Sequence, residues 1–186
     1  MFAQSLSSPN IQQRGKKFKE IKCGLFNDKP LRSVLLLSTN AYVKNNGKAV
    51  MSQGCALAAK ERFKGIDANL GRALEIQGRK RGNYGMFKTE AVGNYPAIIW
   101  KKPGEPIIVS CPSQWHFVEK SDLSLIERSL GIIVNMADYY KWNNIYLPAL
   151  GTGAGRRNWK DEIKPILMDY LDERFTVCHL IDSELW

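Results

Sequence analysis

Tyr146-Leu147-Pro148-Ala149-Leu150-Gly151-Thr152-Gly153-Ala154-Gly155 decides how this chain is read: a short apolar strand runs into three alternate glycines, and a helix-forming stretch follows. Glycine lets backbone N–H groups approach and surround phosphate oxygens, and the amino end of a following helix adds partial positive charge. The stretch is therefore a candidate anion site, with a plain tight turn after a strand as the competing reading. It matches neither GxGxxG nor GxxxxGK[ST], which counts against a Rossmann or a P-loop fold.

Working outward, the expected helix covers Asn158 to about Glu173 with Ile163, Ile166, Leu167 and Tyr170 facing inward, and a strand closes the chain over Phe175 to Ile181. Upstream, Ser121 and Asp122 can cap a helix that runs to about Lys141 on the apolar face of Leu123, Ile126, Leu130, Ile133, Val134 and Ala137. Three strand candidates precede it, Met86 to Val92, Ala97 to Lys101 and Ile107 to Cys111, punctuated by Gly93, Pro103 and Pro106 and read as antiparallel neighbours. Helices are expected over Val50 to Phe63 and Asp67 to Ile76, and strands over Phe18 to Phe26 and Ser33 to Leu37. Hairpins in the middle and alternating strands and helices at the end give an α/β chain, a three-layer α/β/α sandwich around a central mixed β-sheet. Residues 1–17 read as a polar, basic N-terminal tail and 18–186 as one domain.

With 186 residues, 44% hydrophobic and 24% charged, the composition excludes collagen-like repetition and disorder. No apolar run is long enough for a membrane helix, and the N-terminus has no apolar stretch behind its basic residues, so neither a membrane partner nor a secretory signal is expected. Cys23, Cys55, Cys111 and Cys178 form no CxxC pair and read as buried free thiols, which with the rest points to a cytoplasmic protein. With only His116 and His179 in the chain, no metal site and no cofactor are expected. The net charge of +9 suggests an anionic partner. Its spread over Arg14 to Lys19, Arg79 to Arg81 and Arg156 to Arg157 is explained as well by solubility as by nucleic acid.

A second loop, Ser38 to Ala56, holds turn formers and ends in a helix start. Ligands of open α/β sheets sit beyond the carboxyl ends of strands, where this loop and the glycine loop both fall, so the two can clamp one diphosphate. Asn40, at the strand end, is either a ligand contact or a turn residue.

Three stretches together, STNAYVKNNGKAVMSQGCALAAKERF (38–63), IIVSCPSQWHFVEKSDLSLIERS (107–129) and IYLPALGTGAGRRNWKDEIKPIL (145–167), resemble the macro domain family over about residues 18 to 181. The nearest branch includes ADP-ribose-1''-phosphate phosphatases, DNA ADP-ribosyl glycohydrolase antitoxins and small macro proteins carried by phages. The resemblance implies binding of ADP-ribose or a related nucleotide, with an ADP-ribosylated protein or nucleic acid as the further partner. Carried over, Asn40 faces the distal ribose, with Thr39 beside it among the ligand-binding residues. Val50, Met51, Ser52, Gln53, Gly54, Cys55 and Ala56 cover the diphosphate and that ribose, with Ser113 nearby. Gly151, Thr152, Gly153, Ala154, Gly155 and Arg156 wrap the phosphates, Leu150 before them counts among the ligand-binding residues, and Trp159 packs beneath the loop.

The chain also departs from the family. Where relatives carry Gly-Asp, the Asp holding the adenine amino group, Cys23 and Gly24 stand here. A catalytic lysine corresponds to Gln114, and acidic residues used in two hydrolase groups correspond to Asn158 and Gly155. The remaining catalytic candidates are Asn40 and His116, which could orient water or a leaving phosphate. Three functions stay open: a phosphatase or glycohydrolase acting on ADP-ribose derivatives, a binding module that holds such a nucleotide without turnover, and nucleic-acid binding through the basic clusters.

Overall fold

The computed structural model describes residues 17–30, 32–82 and 92–180. Along the chain come β1 (Lys19–Lys22), β2 (Val34–Thr39), α1 (Gly54–Arg62), α2 (Ile66–Ile76), β3 (Ala97–Trp100), β4 (Ile107–Pro112), α3 (Leu123–Tyr140), β5 (Ile145–Pro148), a π-helical turn (Trp159–Ile163), α4 (Lys164–Tyr170) and β6 (Phe175–His179). The strands form one sheet in the order β1-β6-β5-β2-β4-β3, parallel except that β3 runs antiparallel to β4.

The two-residue period of a strand explains the three layers. Along β2, Val34 and Leu36 point into a core shared with Ile126, Leu130, Ile163 and Leu167, on the side of α3 and α4. Leu35 and Leu37 point the other way, into a core shared with Ala59, Phe63, Leu70 and Leu74 of α1 and α2. All four are shut off from solvent, and burying a side chain of this size contributes roughly 1.5–3 kcal/mol. The β3–β4 register shifts between Ile98 and Trp100. This bulge interrupts the alternation, so that Ile99 and Trp100 both join the α1/α2 core while Ile98 packs on the other.

The mixed three-layer arrangement is the one expected, with boundary differences that have local causes. β1 stops at Lys22 rather than Phe26, because the chain turns at Gly24, whose carbonyl accepts from the Asn27 N–H at 3.2 Å. α1 starts at Gly54 rather than Val50, and Gln53 before it is extended. The helix expected from Asn158 opens as a π turn, and Pro165 explains why. Proline has no N–H to give the carbonyl four residues back, and its ring presses on that carbonyl, so the preceding turn widens. Residues 86–91 of the candidate strand Met86 to Val92 and residues 1–16 of the tail 1–17 lie outside the described residues.

Asp122, not Ser121, caps α3: its carboxylate accepts from the Ser124 and Leu125 N–H groups and, through the other oxygen, from Trp115 Nε1 at 2.9 Å. Partial burial raises the pKa of this carboxyl, and the hydrogen bonds from Ser124, Trp115 and the two backbone groups outweigh it, leaving the pKa below its ordinary value. Removing the side chain in Asp122→Ala loses the cap and the indole bond, about 2 kcal/mol together. Urea denaturation should show that cost, and Asp122→Asn, which still caps, should show less than half of it.

Candidate functional site

β2 and β5 are neighbours, yet their ladder holds only at Val34↔Ile145 and Leu35↔Tyr146. Past that point β2 leads to α1 on one face of the sheet, and β5 leads through the glycine loop to α4 on the other. Adjacent strands whose connections leave to opposite faces create a crevice at their carboxyl ends. A cavity of about 590 Å³ opens there, within the range of small-molecule sites.

One wall is the start of α1. Val50, Ser52, Gln53, Gly54, Cys55 and Ala56 line the cavity, and the Gln53 side chain makes no capping bond to the first turn of α1. The opposite wall is Gly151, Thr152, Gly153 and Ala154. Thr152, Arg156 and Arg157 use their N–H groups inside the loop, on the carbonyls of Ala149, Gly153 and Gly151. Among the described residues no acceptor meets the N–H groups of Gly153, Ala154 and Gly155. A helix start and a glycine loop thus border one cavity, an arrangement suited to an anion.

Asn40 lines the cavity as expected, and its amide also ties the first loop together: Nδ2 donates to the Val50 carbonyl and Oδ1 accepts from the Tyr42 N–H, each at 3.0 Å. Both of its roles, turn residue and wall, are therefore realised. Several other expected residues stand behind the walls rather than in them. Thr39 and Ser113 are buried, the Thr39 carbonyl accepting from the Ser113 N–H at 3.0 Å. Met51 and Leu150 are core residues on opposite sides of the sheet. Gly155 is buried under its own loop. Arg156 turns away to donate to the Val118 carbonyl at 3.1 Å. His116 is buried, 5.3 Å from the Tyr42 ring and 4.2 Å from that of Phe117, of which only Phe117 reaches the cavity. Trp159 packs edge-on to His179 in the core below the loop.

Phe26, Asn27, Phe117, Cys178, His179 and Leu180 also line the cavity and are not foreseen from the sequence. The turn formers Asn27-Asp28-Lys29-Pro30 directly after a strand were the available signal for the first two; nothing in the sequence marks the end of β6 as a wall. Among the described residues no lysine, arginine, aspartate or glutamate borders the space. Its ionisable groups are thiols and one histidine. Burial raises the Cys55 thiol, against which the backbone N–H groups of Ser38, Cys55 and Ala56 act weakly. Burial also lowers His179, whose Nε2 lies 3.2 Å from Glu20 Oε2. Among the described residues no cluster of three His, Cys, Asp or Glu could hold a metal ion, and no helix is long and apolar enough to cross a membrane.

The glycine loop is tied down from outside by Glu162. Its carboxylate accepts from the Asn158 N–H at 2.7 Å and from Arg157 Nη1 at 2.7 Å, and Lys120 stands 3.4 Å away. The Asn158 backbone bond, then Arg157 and Lys120, hold its pKa down at about 2. A carboxyl held low in the folded state stabilises it at pH values above its ordinary pKa, and that contribution is lost as pH falls towards the folded value. The melting temperature of the parent should therefore exceed that of Glu162→Gln at neutral pH, and the gap should close between about pH 4.5 and pH 2. A gap that persists at the acid end would remove the ionised carboxylate as its cause.

Comparison with solved structures gives three strong likenesses. The macrodomain of Mycobacterium tuberculosis DarG superposes with a TM-score of 0.63 at 19% identity, over 89% of this chain and 99% of that one. The macrodomain of Thermus aquaticus DarG does so with a TM-score of 0.58 at 20% identity, over 89% and 99%. The fold is that of a macro domain. Thermosipho africanus DarTG in complex with ADP-ribose also matches, with a TM-score of 0.67 at 17% identity; the likeness covers 94% of this chain but 44% of that one, so the present chain spans less than half its length. No protein-family model matches the chain, and neither does any curated protein sequence. At these identities the likeness carries the macro domain fold, and the ligand has to be argued from the cavity.

Proposed function

We propose that this macro domain binds ADP-ribose, or a nucleotide derived from it, with the diphosphate between the start of α1 and the glycine loop. The observation that carries this reading is the pair Gly153 and Ala154, whose N–H groups meet no protein acceptor among the described residues and which border, together with the start of α1, a cavity of about 590 Å³. Neutral walls with converging backbone donors suit a ligand whose charge sits in the middle and whose ends are a sugar and a base. The complex of ADP-ribose with Thermosipho africanus DarTG, a protein of like fold, supports it.

Holding the ligand without turnover is the form of this function that the cavity favours. Cleaving a glycosidic or ester bond calls for a group that activates water or stabilises developing charge, and among the described residues no carboxylate or lysine borders the space. Asn40 orients the distal ribose, and Asn27, which borders the cavity at the turn after β1, offers its amide to the base.

A second reading, nucleic-acid binding, has one observation in its favour. At the amino ends of β2 and β4 another cavity, of about 610 Å³, is bordered by Lys29, Arg32, Arg62, Lys64 and Lys102 against Asp28 and Glu105. Calorimetric titration separates the readings. ADP-ribose should bind with little dependence on salt and without release of phosphate from ADP-ribose-1''-phosphate. Phosphate release would establish turnover instead, and affinity for an oligonucleotide alone, falling steeply with salt, would replace the nucleotide reading altogether.

A further inference from the structure

The turn that ends β1 places two sulfurs together. Cys23 Sγ lies 3.0 Å from Cys178 Sγ of β6, across 155 residues of sequence, and both residues border the cavity. The ammonium of Lys29 lies 3.2 Å from Cys23 Sγ, held there by its bond to the Gly24 carbonyl at 3.0 Å. Cys23 is partly exposed and Cys178 is buried, and neither is in a disulfide. The other two thiols have no such surroundings: Cys111 is buried in the core, and Cys55 stands on the α1 wall of the cavity.

We propose that Cys23 is a site of thiol modification by hydroperoxides, with Cys178 as the thiol that resolves the product into a disulfide. The geometry divides the labour. The Lys29 ammonium donates to the sulfur, and partial exposure gives the oxidant access; both belong to Cys23. Cys178 lacks access but touches the sulfur that would be oxidised. Burial, reinforced by its contact with Cys23, pushes the Cys178 thiol up to about 12, so it rests protonated.

The chemistry balances in two steps. The Cys23 thiolate attacks one peroxide oxygen, the O–O bond breaks and hydroxide leaves, giving a sulfenic acid. Cys178 sulfur then attacks Cys23 sulfur, its proton and the displaced hydroxide forming water as the S–S bond closes. Two thiols lose two electrons, the peroxide gains them, and two water molecules result. Closing the bond draws the sulfurs from 3.0 Å to about 2.05 Å, a movement the turn after β1 can absorb because Cys23 is the first residue past the strand and glycine follows it.

Peptide mapping after treatment of the reduced full chain with hydrogen peroxide tests this directly. The expected product is one cross-linked pair of fragments, carrying Cys23 and Cys178 and lighter by two hydrogens, with Cys55 and Cys111 still alkylatable. In Cys178→Ser the product should stop at sulfenic or sulfinic acid on Cys23. Iodoacetamide should label Cys23 at least about tenfold faster than Cys55, and Lys29→Gln should slow that labelling. Equal labelling of Cys23 and Cys55, or an over-oxidised Cys23 in the parent with no cross-link, would overturn the proposal. None of these readouts depends on the nucleotide. If the ADP-ribose reading also holds, the oxidised chain should differ in affinity from the reduced one, since the Gly24–Asn27 turn borders the same cavity.

Discussion

Gly153→Val is expected to abolish ADP-ribose binding while leaving the melting temperature within about 2 °C of the parent. A Cβ built on Gly153 meets nothing within 4 Å, so the substitution strains no neighbour, yet the residue stands on the cavity wall. The branched side chain would occupy the space reserved for phosphate oxygens and shield the adjacent N–H groups. Calorimetry paired with thermal unfolding checks both halves. Retained affinity in a well-folded Gly153→Val protein would place the anion elsewhere and remove the main support for the proposed function.

Gly155→Ala should behave in the opposite way, through stability first. Its Cβ would lie 2.0 Å from Ser121 Oγ and 2.5 Å from the Gly151 carbonyl oxygen, and a backbone atom cannot rotate aside. Overpacking of this kind costs about 3 kcal/mol, a fall of about 10 °C in melting temperature for a domain of this size. Adding Ser121→Ala should recover only part of the loss, because the Gly151 clash persists. Ser121→Ala alone should be nearly neutral, as the Ser121 hydroxyl is buried without a hydrogen-bond partner among the described residues. The two glycines, two residues apart, thus separate binding from folding. If Gly155→Ala melts with the parent, the loop is not packed as described.

The pattern of apolar residues made most of the architecture legible. Val34 to Leu37 is apolar at every position because both of its faces are covered, and α3 shows its stripe because only one of its faces is. Both loops were legible as openings beyond the sheet because glycine and turn residues follow buried strands there, and both border the cavity. What sequence could not give was the direction in which neighbours face. Met51 and Ser52 are adjacent, and one enters the core while the other borders the cavity. His116 and Phe117 divide in the same manner. The walls supplied by the end of β6 and by the turn after β1 come from strand order, with β6 beside β1, which follows from packing that no local pattern encodes. The π turn before Pro165 was hidden for a related reason, since helical periodicity does not register one widened turn.

The fastening of the glycine loop has a consequence for how a ligand would be felt. The Ser121 N–H donates to the Gly155 carbonyl at 2.9 Å, and Arg157 Nε donates to the Ser121 carbonyl at 2.6 Å, so loop and α3 share a joint one residue before the Asp122 cap. A diphosphate that immobilises the loop therefore immobilises the first turn of α3 as well. Slowed amide exchange would spread from the cavity to Ser124 and Leu125, neither of which borders it. Occupancy would then be registered on the outer layer of the molecule, where another macromolecule could read it without touching the nucleotide.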